Sequence, residues 1–408
     1  MQRLKKNEMR VLHAIFIGEN PTRARIARRT RLSLVKVSSI LKTLSRQGYI
    51  EQAGKARNRN GRPSVLYQVR PELACALGVS LAQGDRFQIV ALNGARRVIL
   101  RRDCPLELPE DPASHAQALL DRLVEELERI RRTELPVGRP PVALGLALPG
   151  MVDTRKGSWL LGLQLTGISN VPVVSLLSER LGLPVFIDDV ARCLALLELR
   201  QGLGRRCRSF VLVYLGLGMG AGIVIDRKLY LGHHGLAGEI GHIEHPDNAY
   251  RCSCNAVGCL ETMVSATGIQ RVFKDRLAEG VSSSLQREPG ELNLEAILEA
   301  ARAGDRFTRT TLQEIGGFLG HSCAMLIKMF NPQRLIISGR GSMFREFFEE
   351  PVEQVIHRRV LPEMLADYRT VFADYDPYQE SQGAALAAMS RYLEHRLRSL
   401  AGNPQAPA

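Results

Sequence analysis

The chain has 408 residues, 45% hydrophobic and 24% charged, with a formal net charge of +13. That length suits two or three domains, and the composition is that of a globular protein rather than a disordered or fibrous one. No apolar run approaches the roughly 20 residues that span a bilayer, and the opening Met1-Gln2-Arg3-Leu4-Lys5-Lys6-Asn7-Glu8 has no signal-peptide core, so the expectation is a cytoplasmic protein without membrane insertion.

The positive charge is concentrated at one end. Residues 1–70 hold 17 Lys and Arg against three acids (Glu8, Glu19 and Glu51), while the remainder holds 38 against 39. A basic head on a near-neutral body is the footprint of a nucleic-acid-binding module joined to something else.

Within the head, residues 4–19 carry Met9, Leu12, Ile15 and Phe16 at helical spacing, stopped by Gly18 to Pro21. Thr22 is placed to cap a short second helix reaching Arg29, and Ser33 a third that turns Val37, Ile40, Leu41 and Leu44 inward and ends at Gly48. The outward side of this third helix offers Ser33, Lys36, Ser38, Ser39, Lys42, Thr43 and Arg46. A short helix, a tight turn and an amphipathic helix with small polar and basic residues outward predict a helix-turn-helix. A hairpin follows, Tyr49 to Gln52 and Ser64 to Val69, with Lys55, Arg57, Arg59 and Arg62 around its tip. Together these predict a winged helix-turn-helix whose wing cations suit phosphates or a narrow minor groove. The expected partner is a double-stranded DNA operator.

Pro71 marks the boundary to an α/β body. A hairpin through residues 77–92, a strand at residue 98, a helix over 114–132, a buried strand from Val142 into the turn at Pro149-Gly150, and a strand at Val185 form an expected first lobe, residues 71–189. The expected second lobe, residues 190–380, opens with a helix over 191–200 and a glycine-rich hairpin from Phe210 to Asp226. Helices near 292–304 and 307–330 and a strand from Arg334 follow. A closing helix occupies 381–400, and residues 401–408 read as a disordered tail.

The densest chemistry lies in Gly238-Glu239-Ile240-Gly241-His242-Ile243-Glu244-His245 and, after a polar spacer, Arg251 to Glu261. Cys252, Cys254 and Cys259 fall within eight residues there. Three thiolates and one imidazole make a closed tetrahedral set, which suits structural zinc because no position stays open for water. Gly258 lets the loop turn back on the metal. Spacing alone does not choose the imidazole among His233, His234, His242 and His245. The five other cysteines, Cys75, Cys104, Cys193, Cys207 and Cys323, sit in apolar contexts and read as buried, reduced thiols.

The pattern Glu-x-Gly-His followed by Cys-x-Cys-x4-Cys-Leu-Glu resembles the signature of the ROK family of repressors, open reading frames and sugar kinases. The resemblance covers nearly the whole chain. It implies an actin/hexokinase-like ROK fold, two α/β lobes around a cleft, preceded here by the winged helix-turn-helix. It chooses His242 as the fourth ligand of one structural zinc per chain, and implies that Glu239, His242 and Glu261 face a sugar.

The elements that a ROK sugar kinase uses for ATP are altered. Where the family has Asp-x-Gly-Gly-Thr this chain has Ser80-Leu81-Ala82-Gln83-Gly84, so methyl and amide groups replace a bare backbone. Alignment on Pro184-Val185-Phe186 and Glu198 puts Asp189 at the first Asn of the family's Asn-Asp-Ala-Asn, Val190 at the catalytic Asp and Arg192 at the second Asn. A slip of one residue would make Asp189 the base. Gly216-Leu217-Gly218 has Leu in place of Thr, and Gly339-Arg340-Gly341 has Arg within a glycine turn. The resulting expectation is a ligand-responsive repressor of carbohydrate genes, without phosphoryl transfer. Its degenerate kinase cleft would bind a sugar or sugar phosphate through Asp189, Glu239, His242 and Glu261, and it would work as a homodimer or tetramer. The alternatives are a sugar kinase with a DNA-binding head and a regulator controlled by a protein partner.

Overall fold

The structure is a computed structural model that describes residues 4–18, 20–58, 61–136, 140–163, 165–285 and 292–400, apart from the side chains of residues 57, 58, 61 and 62. Three short helices open the chain, α1 (Lys6–Phe16), α2 (Arg23–Thr30) and α3 (Leu34–Arg46). The Thr22 hydroxyl accepts the Arg25 N–H and the Ser33 hydroxyl the Lys36 N–H, so α2 and α3 start where the cap residues stand. Arg31, left-handed at φ +52°, makes the turn between them. An antiparallel hairpin, β1 (Ile50–Asn58) and β2 (Gly61–Val69), pairs Ile50 with Val69. Val11, Leu12, Ile15, Ile26, Val37 and Leu44 fill the centre of this unit.

The first lobe contains β3 (Cys75–Ser80), β4 (Arg86–Asn93), β5 (Val98–Pro105), α4 (His115–Thr133), β6 (Ala143–Leu148), β7 (Met151–Asp153), β8 (Ser158–Leu161), β9 (Ser169–Val171), α5 (Val173–Leu181) and β10 (Val185–Asp189). Its five-stranded sheet has the order β10-β6-β3-β4-β5, parallel from β10 to β3 and antiparallel from β3 to β5. Strands β3 and β6 are buried along their whole length, as strands covered on both faces must be.

The second lobe repeats the plan with α6 (Val190–Arg200), β11 (Phe210–Leu215), β12 (Met219–Ile225), β13 (Lys228–Leu229), α7 (Glu261–Val264), α8 (Ala266–Ala278), α9 (Leu294–Arg302), α10 (Arg306–Phe330), β14 (Arg334–Ser338), α11 (Arg345–Arg359) and β15 (Arg369–Phe372). Its sheet order is β13-β12-β11-β14-β15.

Several elements have no counterpart in the sequence reading. The small sheet β7-β8-β9 is built from strands of three and four residues, too short to show a period, and Pro351 inside α11 hides that helix behind a breaker.

The last helix, α12 (Gln379–Ser399), does more than close the second lobe. It lies across β3 and β6 of the first-lobe sheet and against α6. Glycine permits that approach: a Cβ on Gly78 would stand 1.9 Å from the Ser381 carbonyl oxygen, and one on Gly145 2.1 Å from that of Ala384. The far end of α12 reaches the head, where Met389 and Leu393 join the apolar cluster of α1.

One buried charge ties these pieces together. Asp188, 3% exposed at the end of β10, accepts from Arg192 Nε of α6 and Arg391 Nη2 of α12, each at 2.5 Å. Burial pushes its pKa up, but the two guanidinium groups outweigh that and hold the carboxyl below its ordinary 3.8. Replacing Asp188 by Ala leaves Arg192, 1% exposed, without its counter-charge. The expected loss is about 3–5 kcal/mol in urea denaturation. Because the folded pKa is lowered, the wild-type contribution is intact above pH 3.8 and fades as the pH falls through the folded value. The gap between the two proteins should therefore narrow only in acid.

Candidate functional site

The cleft between the lobes is lined by Asp189 at the end of β10, Val190 at the start of α6, the β11–β12 turn, and Glu239, His242 and Glu261 from the long connection that follows β13. Asp189 caps α6 by accepting the Arg192 N–H at 3.0 Å. Glu261, at the first turn of α7, accepts the Met219 N–H at 2.9 Å. Burial raises the pKa of all three carboxyls. That of Glu239 is pushed up to about 7 by burial and by the neighbouring charge of Asp189. The three carboxyls border one small space between the lobes that is open to solvent.

The connection is held by short-range pairing. Glu244 bridges Cys259 and Arg251 bridges Val257, His245 N–H bonds the Gly258 carbonyl, and the Asn248 amide donates to the Cys259 carbonyl at 2.8 Å. The result is a cluster of His242 with Cys252, Cys254 and Cys259, whose ligand atoms all lie within 4.8 Å of one another. His242 Nδ1 is 3.6 Å from Cys252 Sγ, and Cys254 Sγ is 3.6 Å from Cys259 Sγ. A tetrahedral zinc with Zn–S of roughly 2.3 Å and Zn–N of roughly 2.0 Å spaces its donors roughly 3.5–3.8 Å apart, so the donor set fits a metal of that kind. The other histidines lie outside the cluster. His245 Nε2 is 2.6 Å from His321 Nδ1 on α10, and His233 and His234 are exposed, edge to face with one another. The remaining five cysteines are free and buried.

The residues that replace kinase elements are committed to contacts within the protein. Gln83 donates to the Tyr375 hydroxyl at 3.0 Å, joining the first lobe to the segment after β15. Arg340 makes a forked pair with Glu295 of α9 at 2.7 and 2.9 Å. Leu217 and the buried Tyr214 border the cleft. Asp189 also borders it, beside Val190, so a carboxylate stands at the strand end even though valine follows. The sequence reading missed Tyr214, Tyr375 and the Met219 N–H, none of which belongs to a recognisable motif.

On the head, Ser33, Lys36, Ser39, Lys42 and Arg46 are exposed along α3, and Ser38 and Thr43 are half-buried. Ser38 donates to the Leu34 carbonyl and accepts from Arg23, and Thr43 donates to the Ser39 carbonyl. Lys55 is exposed on β1, while Arg59 and the side chains of Arg57 and Arg62 lie outside the described residues. Among the described residues no helix is long and apolar enough to cross a membrane.

Comparison with known proteins gives a consistent picture. The family model for the ROK family matches residues 86–390. A xylose repressor of Caldicellulosiruptor bescii is 30% identical over 86% of this chain and 88% of its own length. A glucokinase of Halalkalibacterium halodurans is 29% identical over 68% of this chain and 84% of its own. The crystal structure of a ROK family transcriptional regulator, a homologue of the E. coli MLC protein, superposes with a TM-score of 0.79 at 26% identity, covering 97% of this chain and 98% of that one.

The loop that carries Glu239 depends on one backbone position. Gly238 has φ +112°, and a Cβ there would stand 2.0 Å from the Ala221 carbonyl oxygen in β12. Gly238→Ala should destabilise the protein by about 2 kcal/mol or more in urea denaturation. Stability within about 0.5 kcal/mol of wild type would mean that the loop does not need this backbone.

Proposed function

The chain belongs to the ROK family, and on that footing we propose that it is a DNA-binding transcription regulator, acting as a repressor of carbohydrate genes and released or recruited by a sugar or sugar phosphate. The observation that carries this reading is a division within the cleft. Its hydroxyl-binding side keeps Asp189, Glu239, His242 and Glu261 together. On its phosphate side Leu217 borders the space, while Gln83 and Arg340 are spent on protein contacts. Similarity to a xylose repressor over 86% of the chain, against 68% for a glucokinase, supports assigning the basic head to DNA.

In this reading α3 enters the major groove with Ser33, Lys36, Ser38, Ser39, Lys42, Thr43 and Arg46 on its outer side. Lys55, Arg57, Arg59 and Arg62 serve the wing. One winged helix reads too few base pairs for a unique site, so the working form is a homodimer on a two-fold operator. The cluster of His242, Cys252, Cys254 and Cys259 holds one zinc, which supplies folding energy to the loop. With Nδ1 on the metal side, His242 has its Nε2–H left to donate to a ligand hydroxyl, and the carboxylates of Asp189, Glu239 and Glu261 accept.

The second reading is a sugar kinase with a DNA-binding head, favoured by the carboxylate of Asp189 at the cleft. The two part in a thermal-shift panel of sugars and sugar phosphates on metal-loaded protein. The regulator reading expects one sugar to stabilise by roughly 2.7 kcal/mol at about 100 times its Kd, with no effect of ATP. It also expects Glu239→Ala to weaken that sugar at least about tenfold while DNA affinity stays unchanged. ATP stabilisation together with ADP release on a hexose would transfer the assignment to the kinase.

For the metal, elemental analysis should find one zinc per chain. Cys254→Ser should lower both metal content and melting temperature. A wild-type protein that contains no metal and is indifferent to strong chelators would remove zinc from the account.

A further inference from the structure

The outer side of α3 is not wholly polar: the most exposed large apolar side chain among the described residues is Val35, at 81%, with Leu34 beside it at 50%. Val35 stands in the first turn of α3, and Ser39, Lys42 and Arg46 follow it at intervals of four, three and four residues, one face of a helix. These four, with Ser38 and Thr43, line one open concavity. Neither α2 nor α3 contains an acidic residue, so the surroundings of this valine are those of a polyanion-binding face rather than of an apolar protein contact.

Val35 differs from its neighbours in what it can recognise. The hydroxyl hydrogens of Ser38 and Thr43 are spent on the carbonyls of Leu34 and Ser39. Lys42 and Arg46 suit phosphates or guanine edges. An isopropyl group offers no hydrogen bond and can only pack on another apolar group. The major groove presents one such group, the C5-methyl of thymine. A β-branched side chain in a helix holds one χ1 rotamer, so its methyls are presented in a fixed place and lose little freedom on contact. The first turn of the recognition helix is also the part that meets base edges.

Resting on the proposed DNA-binding function, the geometry points to Val35 as a specificity-determining residue that reads a thymine methyl in each half-site. The test starts from duplexes enriched from a random library by the full-length protein. Each thymine of the enriched site is then replaced in turn by deoxyuridine, which removes only the methyl. One thymine per half-site should lose about 3- to 5-fold in affinity on this change, the scale of one buried methyl. Val35→Ala should lose a similar factor on the thymine duplex and be indifferent to uracil at that position, so the two changes do not add. At 81% exposure the variant keeps its fold, and an unchanged melting temperature checks this. If every uracil penalty is the same for wild type and Val35→Ala, the inference fails while DNA recognition stands. If no sequence is enriched at all, the DNA reading fails and this inference with it.

Discussion

The charge of Asp188 in the protein interior constrains everything around it. A buried carboxylate is tolerable only with its partners in place, and those partners come from two different helices, Arg192 of α6 and Arg391 of α12. The end of β10, the start of α6 and the middle of α12 are therefore fixed relative to one another. The next residue, Asp189, inherits its position from that joint and faces the cleft. The same stretch of α12 meets the head: Met389 and Leu393, on either side of Arg391, pack in the core of the head, and Glu394 lies 3.3 Å from His13 of α1. The floor of the cleft and the DNA-facing module thus share one rigid helix. A close-packed interior passes displacement along such an element instead of absorbing it.

In the proposed function the cleft keeps one half of a kinase and has refilled the other. In a kinase the phosphate-side turns present bare backbone to ATP. Here Gln83 reaches Tyr375 across the lobes, and Arg340 is clamped by Glu295. Of these two contacts only the one from Gln83 to Tyr375 joins the lobes; the pair of Arg340 and Glu295 lies within the second. The hydroxyl-binding side retains three carboxyls whose burial raises their pKa values. An unliganded cluster of that kind is uncomfortable for the fold, and its persistence is best understood through what it binds in the proposed function.

Much of this was legible in the sequence because the signals are local. Caps at Thr22 and Ser33, the period of α3, the charge imbalance of the first 70 residues and the Cys-x-Cys-x4-Cys spacing all act within a few residues. Spacing alone left the imidazole open and the family resemblance chose His242; the fold sets that ring beside the three cysteines, while His245 turns away to His321. The joint at Asp188 was invisible because Arg391 is some two hundred residues distant in sequence. Sequence position put α12 after the second lobe, whereas Gly78 and Gly145, unremarkable in a strand pattern, let it cross the first. Exposure of Val35 also escaped notice, since an apolar residue on a helix reads as core until the fold shows which way it faces.

Magnitudes bear on whether a sugar in this cleft can govern the head. A ligand moves an equilibrium only by its difference in affinity for the two arrangements, and a shift from 1:99 to 99:1 requires about 5.5 kcal/mol. Hydrogen bonds to charged groups contribute roughly 1.5–3 kcal/mol each. Two such bonds fall short at the lower figure, and four suffice at either. Asp189 ends the first lobe's sheet whereas Glu239, His242 and Glu261 belong to the second lobe, so a sugar held by all four in the proposed function bridges the lobes, and the bonds it makes across the cleft are the differential ones. Any relative movement of the lobes also acts on the contacts from Gln83 to Tyr375 and from Arg101 to Asp376. Tyr375 and Asp376 lie in the segment that leads directly into α12, so the stretch of chain these contacts hold is the one that enters the helix shared with the head.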